Sequence, residues 1–311
     1  MMIKRILLFI VFCVFTNLLS AQKFSLQSRT PLDSILIDSL KINNPSLNNI
    51  KFFNFTYKSH GNSVNGYLLT PSAPGKYPCV IYNVGGNVGI QHFSYAMALR
   101  YVSFLTEAGY VVIASNYEDQ NNPDVVDEFG GKDLDHITDL VQNLSVFPEV
   151  DTSRIGIFGW SRGGMESYML LKRFSNIKAM AVGGALTDME DMFSARAEMD
   201  SVVASRVPGF KENRKNESEK RSAIKWVDKL PKTTPILILH GNADWRVGPD
   251  QPLEMAKQLN KLQIPYRLVM FEGSDHGVSE HLPDMRVQVL TWFRRFLIKG
   301  EKLPNMKPHG N

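Results

Sequence analysis

The chain has 311 residues, of which 43% are hydrophobic and 21% are charged, with 22 Gly and 16 Pro. These proportions are typical of an ordinary globular protein and exclude collagen-like, low-complexity and wholly disordered chains. The formal net charge of +4 is weak for this length and does not indicate a nucleic-acid partner or an anionic membrane surface. A chain of this length can bury a large core.

The first 21 residues have the order of a secretory signal peptide. Residues 1–5 are short and basic, residues 6–19 are an almost unbroken apolar run, and Ala21 places a small residue before Gln22. The apolar run is shorter than the ~20 residues that a bilayer-spanning helix needs. The pattern predicts a signal peptide over residues 1–21, export to the periplasm or the cell exterior, and no membrane span in the mature chain.

Two segments precede the main body of the chain. Residues 22–49 are polar and irregular and are predicted to form an N-terminal extension. Residues 52–57 and 64–69 flank a turn-forming cluster at 60–63 (HGNS), and this arrangement predicts two antiparallel strands.

From there to residue 311, short apolar runs alternate with stretches of helical period. Continuous apolar character is what strands buried on both faces need. The runs are 79–82, 110–114, 155–158, 177–182, 236–239 and 268–271. Strand–helix alternation of this length predicts one α/β domain over residues 50–311, with a mainly parallel sheet and helices on both faces.

Two apolar series at helical spacing predict amphipathic helices between these runs. They are Leu134, Ile137, Val141 and Leu144, and later Val287, Leu290, Phe293 and Leu297 before Gly300.

Residues 187–234 interrupt the alternation. They contain no strand pattern, only Met-rich and charged sequence of helical character, which predicts a helical insertion. The charge run 211–221 is typical of a solvated loop or helix face. We interpret the insertion as a small cap over one end of the sheet that supplies part of the substrate pocket.

The most informative motif is Gly-x-Ser-x-Gly at residues 159–163, between an apolar strand and a helix-forming segment. In this setting the serine lies on a strained turn between strand and helix, where its hydroxyl is exposed. Serine is a poor nucleophile unless a histidine removes its proton and an acid orients that histidine. Asp244 and His276 each follow a predicted strand, in the order Ser, Asp, His. We therefore predict a triad of Ser161, Asp244 and His276.

Other side chains are alternatives for these roles. Asp250 is a second candidate acid, His281 is a second candidate base, and Asp275 is placed to form local hydrogen bonds. No His-x-x-x-His, Cys-x-x-Cys or acidic calcium loop occurs, so no metal or cofactor is predicted.

Acyl transfer also needs donors for a developing oxyanion. The backbone N–H of Arg162 follows the serine, and Val84 or Gly85 supplies a second N–H from the loop after an early strand. Trp160 and Tyr82 are candidate substrate contacts. The Arg162 side chain contacts either an acidic substrate group or carboxylates of the protein itself.

The segments 159–164 (GWSRGG) and 127–131 (DEFGG), with the spacing to the acid and the base, resemble the catalytic domain of the prolyl oligopeptidase family. The similarity covers roughly residues 50–300. It implies an α/β-hydrolase fold, with Ser161 as the nucleophile, Asp244 as the acid and His276 as the base.

Some family features do not match this sequence. No β-propeller is predicted ahead of the hydrolase domain, and no Glu-Glu pair is recognisable as a site for a free peptide amine. Family members often carry Tyr at the position of Val84, whereas the nearest tyrosine here is Tyr82.

These patterns predict an exported serine hydrolase that cleaves small peptide, amide or ester substrates through an acyl-enzyme. The resemblance favours a peptidase. The alternatives are a carboxylesterase acting on small or carbohydrate-linked esters, and a non-catalytic binding module on the same fold.

Overall fold

The computed structural model describes residues 24–32, 45–86, 95–117 and 122–310. The predicted signal peptide, at residues 1–21, lies outside the described residues. The strands are β1 (Ser25–Pro31), β2 (Ile50–Ser59), β3 (Asn62–Pro71), β4 (Tyr77–Asn83), β5 (Val111–Ser115), β6 (Val150–Trp160), β7 (Ala179–Gly183), β8 (Ile236–Gly241) and β9 (Tyr266–Phe271).

One nine-stranded sheet has the order β1-β2-β3-β5-β4-β6-β7-β8-β9. The pairs from β1 through β3 to β5 are antiparallel, and every pair from β5 to β9 is parallel. The carboxyl ends of the parallel strands therefore lie along one edge, where an open α/β sheet places its ligands. The predicted mainly parallel sheet is confirmed, and each of the six apolar runs overlaps a strand.

The β2–β3 hairpin turns where the sequence predicted it. Ser59 pairs with Asn62, and His60 and Gly61 between them have φ of 49° and 86°. Glycine adopts a positive φ without steric cost, which makes the two-residue turn possible.

The prediction that residues 22–49 are irregular was wrong for β1. This strand pairs along β2, and the Arg29 guanidinium donates to both carboxylate oxygens of Glu149, at 2.9 and 2.7 Å. The same guanidinium lies 3.9 Å from the ring centroid of Phe53. These partners are distant in sequence, so no local pattern indicates the strand.

Nine α-helices lie in the described residues. They are α1 (Tyr95–Tyr101), α2 (Ser103–Glu107), α3 (Lys132–Gln142), α4 (Arg162–Leu171), α5 (Met189–Ala195), α6 (Glu198–Arg206), α7 (Arg214–Arg221), α8 (Asp250–Lys261) and α9 (Leu282–Phe293). Helix α4 packs on β6, β4 and β7, and α9 packs on β7 and β8. None of the helices in this part of the chain has the length and apolar character of a membrane span.

The two predicted apolar series differ in outcome. Leu134, Ile137, Val141 and Leu144 are all buried, along α3 and the 3₁₀ turn that follows it. In the second series Phe293 and Leu297 are buried, but Val287 is 57% exposed. The regular part of α9 instead buries Met285, Val289, Trp292 and Phe293, a face of the helix that excludes Val287. Residues Arg294–Ile298 continue as a π-helical turn in which Phe296 and Leu297 are also buried.

The insertion at residues 187–234 is helical and contains no strand, as predicted. It consists of α5, α6, α7 and two 3₁₀ turns, Ala223–Lys225 and Val227–Lys229. The charge run is not solvated along its whole length, because Arg221 is buried. Its guanidinium donates to the backbone oxygens of Phe129 and Glu128, at 2.7 and 3.0 Å.

Candidate active site

Ser161 lies on a strained turn between β6 and α4. Its φ and ψ are 59° and −124°, which a non-glycine residue rarely adopts. The turn is tight because neighbouring residues lack side chains. A Cβ on Gly159 would overlap the backbone oxygen of Gly163, and a Cβ on Gly163 would overlap Asn83.

Asp244 and His276 are brought together from the ends of two adjacent parallel strands, β8 and β9. His276 Nδ1 lies 2.7 Å from Asp244 Oδ2. The other carboxylate oxygen accepts the backbone N–H groups of Arg246 and Val247, at 2.8 and 3.0 Å.

The environment of Asp244 favours the ionised carboxylate. Burial alone would raise its pKa, but hydrogen bonds from His240, His276 and the Val247 N–H outweigh burial and hold the pKa well below its ordinary value. Asp244 therefore remains negative and fixes the orientation of the His276 ring.

Ser161 and His276 line the same cavity, of about 450 Å³. The candidate substrate contacts Trp160 and Tyr82 line it as well. Sequence reasoning missed several other wall residues because they carry no motif. They are Met97, Arg100, Tyr101, Trp245, Arg246, Leu282 and Met285.

The insertion does not supply the pocket wall that the sequence analysis expected. No residue of 187–234 is among the described residues that line the cavity. The insertion is directed elsewhere because α7 packs beside α4 and Arg221 binds the backbone at 128–129.

The loop after β4 lies against the serine turn. A Cβ on Gly85 would lie 2.6 Å from the Trp160 backbone oxygen and 3.1 Å from Ser161 Cβ, so only glycine permits this approach. The Tyr117 hydroxyl donates to the Val84 backbone oxygen at 2.9 Å. Both candidate oxyanion residues of this loop, Val84 and Gly85, therefore lie beside Ser161. The third candidate, Arg162, begins α4, and the first N–H groups of a helix have no helical acceptor.

The alternative residues have other partners. His281 Nε2 lies 3.2 Å from the Glu272 backbone oxygen, and its ring stacks on Phe271. Asp275 accepts the N–H groups of Gly277 and Ser279, the local bonding that the sequence suggested. Asp250 is exposed at the start of α8. Among the described residues, no group of three or more His, Cys, Asp or Glu side chains is arranged to hold a metal ion.

Directly behind the serine turn lies a buried charge cluster centred on Arg162. Its guanidinium lies 2.6 Å from Asp127, 2.8 Å from Glu166 and 3.5 Å from Asp133. All four side chains are buried, so the Arg162 side chain binds protein carboxylates and is not free to bind substrate.

The rings of Tyr117 and Phe129 flank this guanidinium, with centroids 4.6 and 4.1 Å away. Burial raises the pKa of Glu166 to about 8 and that of Asp133 to about 6. The neighbouring carboxylates add to both rises, and the Arg162 guanidinium offsets only part of them. The cluster therefore retains a proton at neutral pH.

The retained proton predicts how stability depends on pH. The pKa of Glu166 is raised in the folded state, so the folded protein binds more protons than the unfolded chain between the two pKa values. Glu166 stabilises the folded state fully at pH values below its pKa in the unfolded chain. This stabilisation is lost as the pH rises to its pKa in the folded state, about 8. In Glu166→Gln the amide cannot lose a proton.

The free energy of unfolding of Glu166→Gln minus that of the wild type is therefore expected to rise between pH 5 and 8, with a slope of up to about 1.4 kcal/mol per pH unit. Urea denaturation across this range measures the difference. In Glu254→Gln, a substitution of a partly exposed glutamate on α8 whose pKa is lowered by its hydrogen bonds to Gln258 and Lys257, the difference should stay flat over this range. A flat difference for Glu166→Gln as well would contradict the prediction.

The parallel sheet, the strand–turn–helix at Ser161 and the order of the strand ends together define an α/β hydrolase. Residues 96–299 match the model of the prolyl oligopeptidase family. The match covers more than half of the chain, which therefore belongs to this family of serine peptidases and is a hydrolase.

Two curated relatives illustrate the relationship. The uncharacterized peptidase YtmA of Bacillus subtilis is 25% identical over 243 residues, which are 78% of this chain and 92% of YtmA. Dipeptidyl-peptidase 5 of Porphyromonas gingivalis is 27% identical over 248 residues, which are 71% of this chain but only 34% of that protein. The chain thus spans most of one relative and about a third of the other.

Among solved structures, the acylaminoacyl peptidase of Pyrococcus horikoshii aligns with a TM-score of 0.71 and 22% identity. The alignment covers 86% of this chain and 45% of that one. At this identity the likeness shows the fold alone. The part of this chain that the structure describes contains the hydrolase domain and no β-propeller.

Proposed function

We propose that the protein hydrolyses peptide or amide bonds through an acyl-enzyme formed on Ser161, with His276 as the general base and Asp244 as the acid that orients it. The observation that carries the proposal is the 2.7 Å contact between His276 Nδ1 and Asp244 Oδ2 at the cavity that Ser161 also lines. Membership in a serine peptidase family supports the choice of amide substrates.

The mechanism assigns one role to each group. Ser161 Oγ attacks the carbonyl carbon while its proton passes to Nε2 of His276, and Asp244 stabilises the imidazolium that forms. The oxyanion accepts hydrogen bonds from the N–H of Arg162 and from an N–H of the Val84–Gly85 loop. His276 then protonates the leaving amine, and water releases the acyl group by the same route.

Matched substrates test the reaction class. The kcat/KM values for aminoacyl anilides and for p-nitrophenyl esters with the same acyl groups would be compared at neutral pH. Turnover of the anilides supports a peptidase. Turnover of the esters alone supports the carboxylesterase alternative, and turnover of neither, by a folded protein, supports a binding module.

We also propose that the protein is exported after cleavage between Ala21 and Gln22. The basic start, the apolar run and the small residue at the predicted cleavage site support this. Expression of the full chain in a secretion-competent bacterium is expected to give an exported protein whose N-terminal residue, by intact mass and N-terminal sequencing, is Gln22. A chain that keeps residues 1–21 and stays inside the cell would contradict the proposal.

A further inference from the structure

Trp160 links the serine turn to the histidine loop. It is the last residue of β6 and directly precedes Ser161. Its indole Nε1–H donates to the backbone oxygen of His276 at 2.9 Å. The sequence indicated Trp160 as a candidate substrate contact, and the bond to His276 gives this side chain a different role.

The indole is held in place by its neighbours. Trp160 pairs with Gly183 on β7, and a Cβ on Gly183 would overlap the indole ring. The ring of Phe158 meets the indole edge-on at 6.4 Å. Since β6 and β7 are central strands of the sheet, the indole N–H has a fixed position relative to Ser161.

The loop that carries His276 has mostly internal bonds. Asp275 accepts N–H groups from Gly277 and Ser279, and Ser274 donates to Glu280. Within the described part of the chain, His276 itself makes two hydrogen bonds. Its imidazole contacts Asp244, and its backbone oxygen accepts the indole N–H of Trp160. The first orients the ring, and the second holds the backbone that carries it.

We infer that Trp160 is a positioning residue that fixes the distance between His276 and Ser161 through its indole N–H. This inference rests on the proposed function, because the distance matters only if His276 takes the proton of Ser161. Displacement of a reacting group by about 1 Å lowers a rate by roughly 10²-fold. Loss of the N–H should therefore lower kcat and leave substrate binding little changed.

The experiment removes the donor in two ways. Trp160→Phe keeps an aromatic ring without the N–H. Site-specific replacement of Trp160 by 3-benzothienylalanine keeps the indole shape and replaces N–H with sulfur, so folding and the cavity wall are preserved. For both variants we expect kcat on the best anilide or ester to fall roughly 10- to 100-fold, with KM within about twofold of the wild type. The rate of fluorophosphonate labelling should fall by the same factor.

A matched control is Trp292→Phe. The Trp292 indole also donates to a backbone oxygen, that of Met180, at 3.1 Å, and it is buried on α9 outside the cavity. This variant is expected to lose stability but keep its kcat and labelling rate.

Two outcomes would overturn the inference. Unchanged kcat in the benzothienyl variant would show that the N–H does not position His276. A raised KM with unchanged kcat would show that Trp160 is a substrate contact instead. Failure of the proposed function itself is distinguishable, because the wild type would then show neither turnover nor labelling.

Discussion

Ser161→Ala is expected to lower hydrolysis of every substrate that the wild type cleaves by roughly 10³- to 10⁶-fold, because the nucleophile is lost while binding contacts stay. Folding should be unaffected. Alanine is no bulkier than serine in the strained backbone conformation at this position, and the Ser161 side chain makes no capping hydrogen bond to the helix that alanine would lose. The measurements are kcat/KM on matched anilides and esters and the thermal midpoint of both proteins.

The control is Ser194→Ala, a substitution of an exposed serine on α5, which should leave kcat/KM unchanged. Activity of Ser161→Ala within tenfold of the wild type, in preparations free of contaminating hydrolase, would contradict the assignment of the nucleophile.

Arg162→Met is expected to destabilise the protein by about 3–5 kcal/mol, because removing one partner leaves uncompensated buried charge. The methionine fills the volume of the aliphatic stem, but Asp127, Asp133 and Glu166 then lack the guanidinium that each of them contacts. Urea denaturation at pH 7 measures the loss.

The matched control is Arg173→Met, just after the same helix. Arg173 pairs with Asp135, but the two side chains are 33% and 46% exposed, so the pair is screened by water. We expect a loss of less than about 1 kcal/mol. If Arg162→Met lost no more than Arg173→Met, the buried cluster would not have the structural role described here.

Much of the fold could be predicted because a strand that is buried on both faces must be apolar along its whole length. Runs such as 236–239 and 268–271 are continuously apolar, and the polar residues that follow them must lie at the carboxyl edge of a parallel sheet. That reasoning alone placed Asp244 and His276 near each other. The short glycine-rich turn around Ser161 was visible for a similar reason, since close backbone contact requires residues without side chains.

The rest depended on contacts that local patterns do not encode. Strand β1 is polar and is held by pairing with β2 and by Glu149, more than a hundred residues away. The Arg162 cluster joins residues from the 127–133 segment and α4, and the sequence left open whether that side chain faced substrate or protein. The exposed position of Val287 depends on which face of α9 packs against β7 and β8, and an apolar residue at helical spacing does not show that.

The cavity was the least predictable part of the site. Its walls include Met97 and Tyr101 of α1 and Met285 of α9, which are ordinary apolar helix residues in the sequence. Among the described residues the insertion at 187–234 does not line the cavity, and its helix α7 packs beside α4. Pocket walls depend on how distant helices pack against each other, and a single sequence does not show that packing.

The most direct test of the account is to locate the adduct formed when the folded protein reacts with a fluorophosphonate. We expect one adduct per chain, on the peptide that contains Ser161, and none in heat-denatured protein. Peptide mapping by mass spectrometry identifies the modified residue. An adduct on a different serine, or none in a protein shown to be folded, would contradict the claim that His276 and Asp244 activate Ser161.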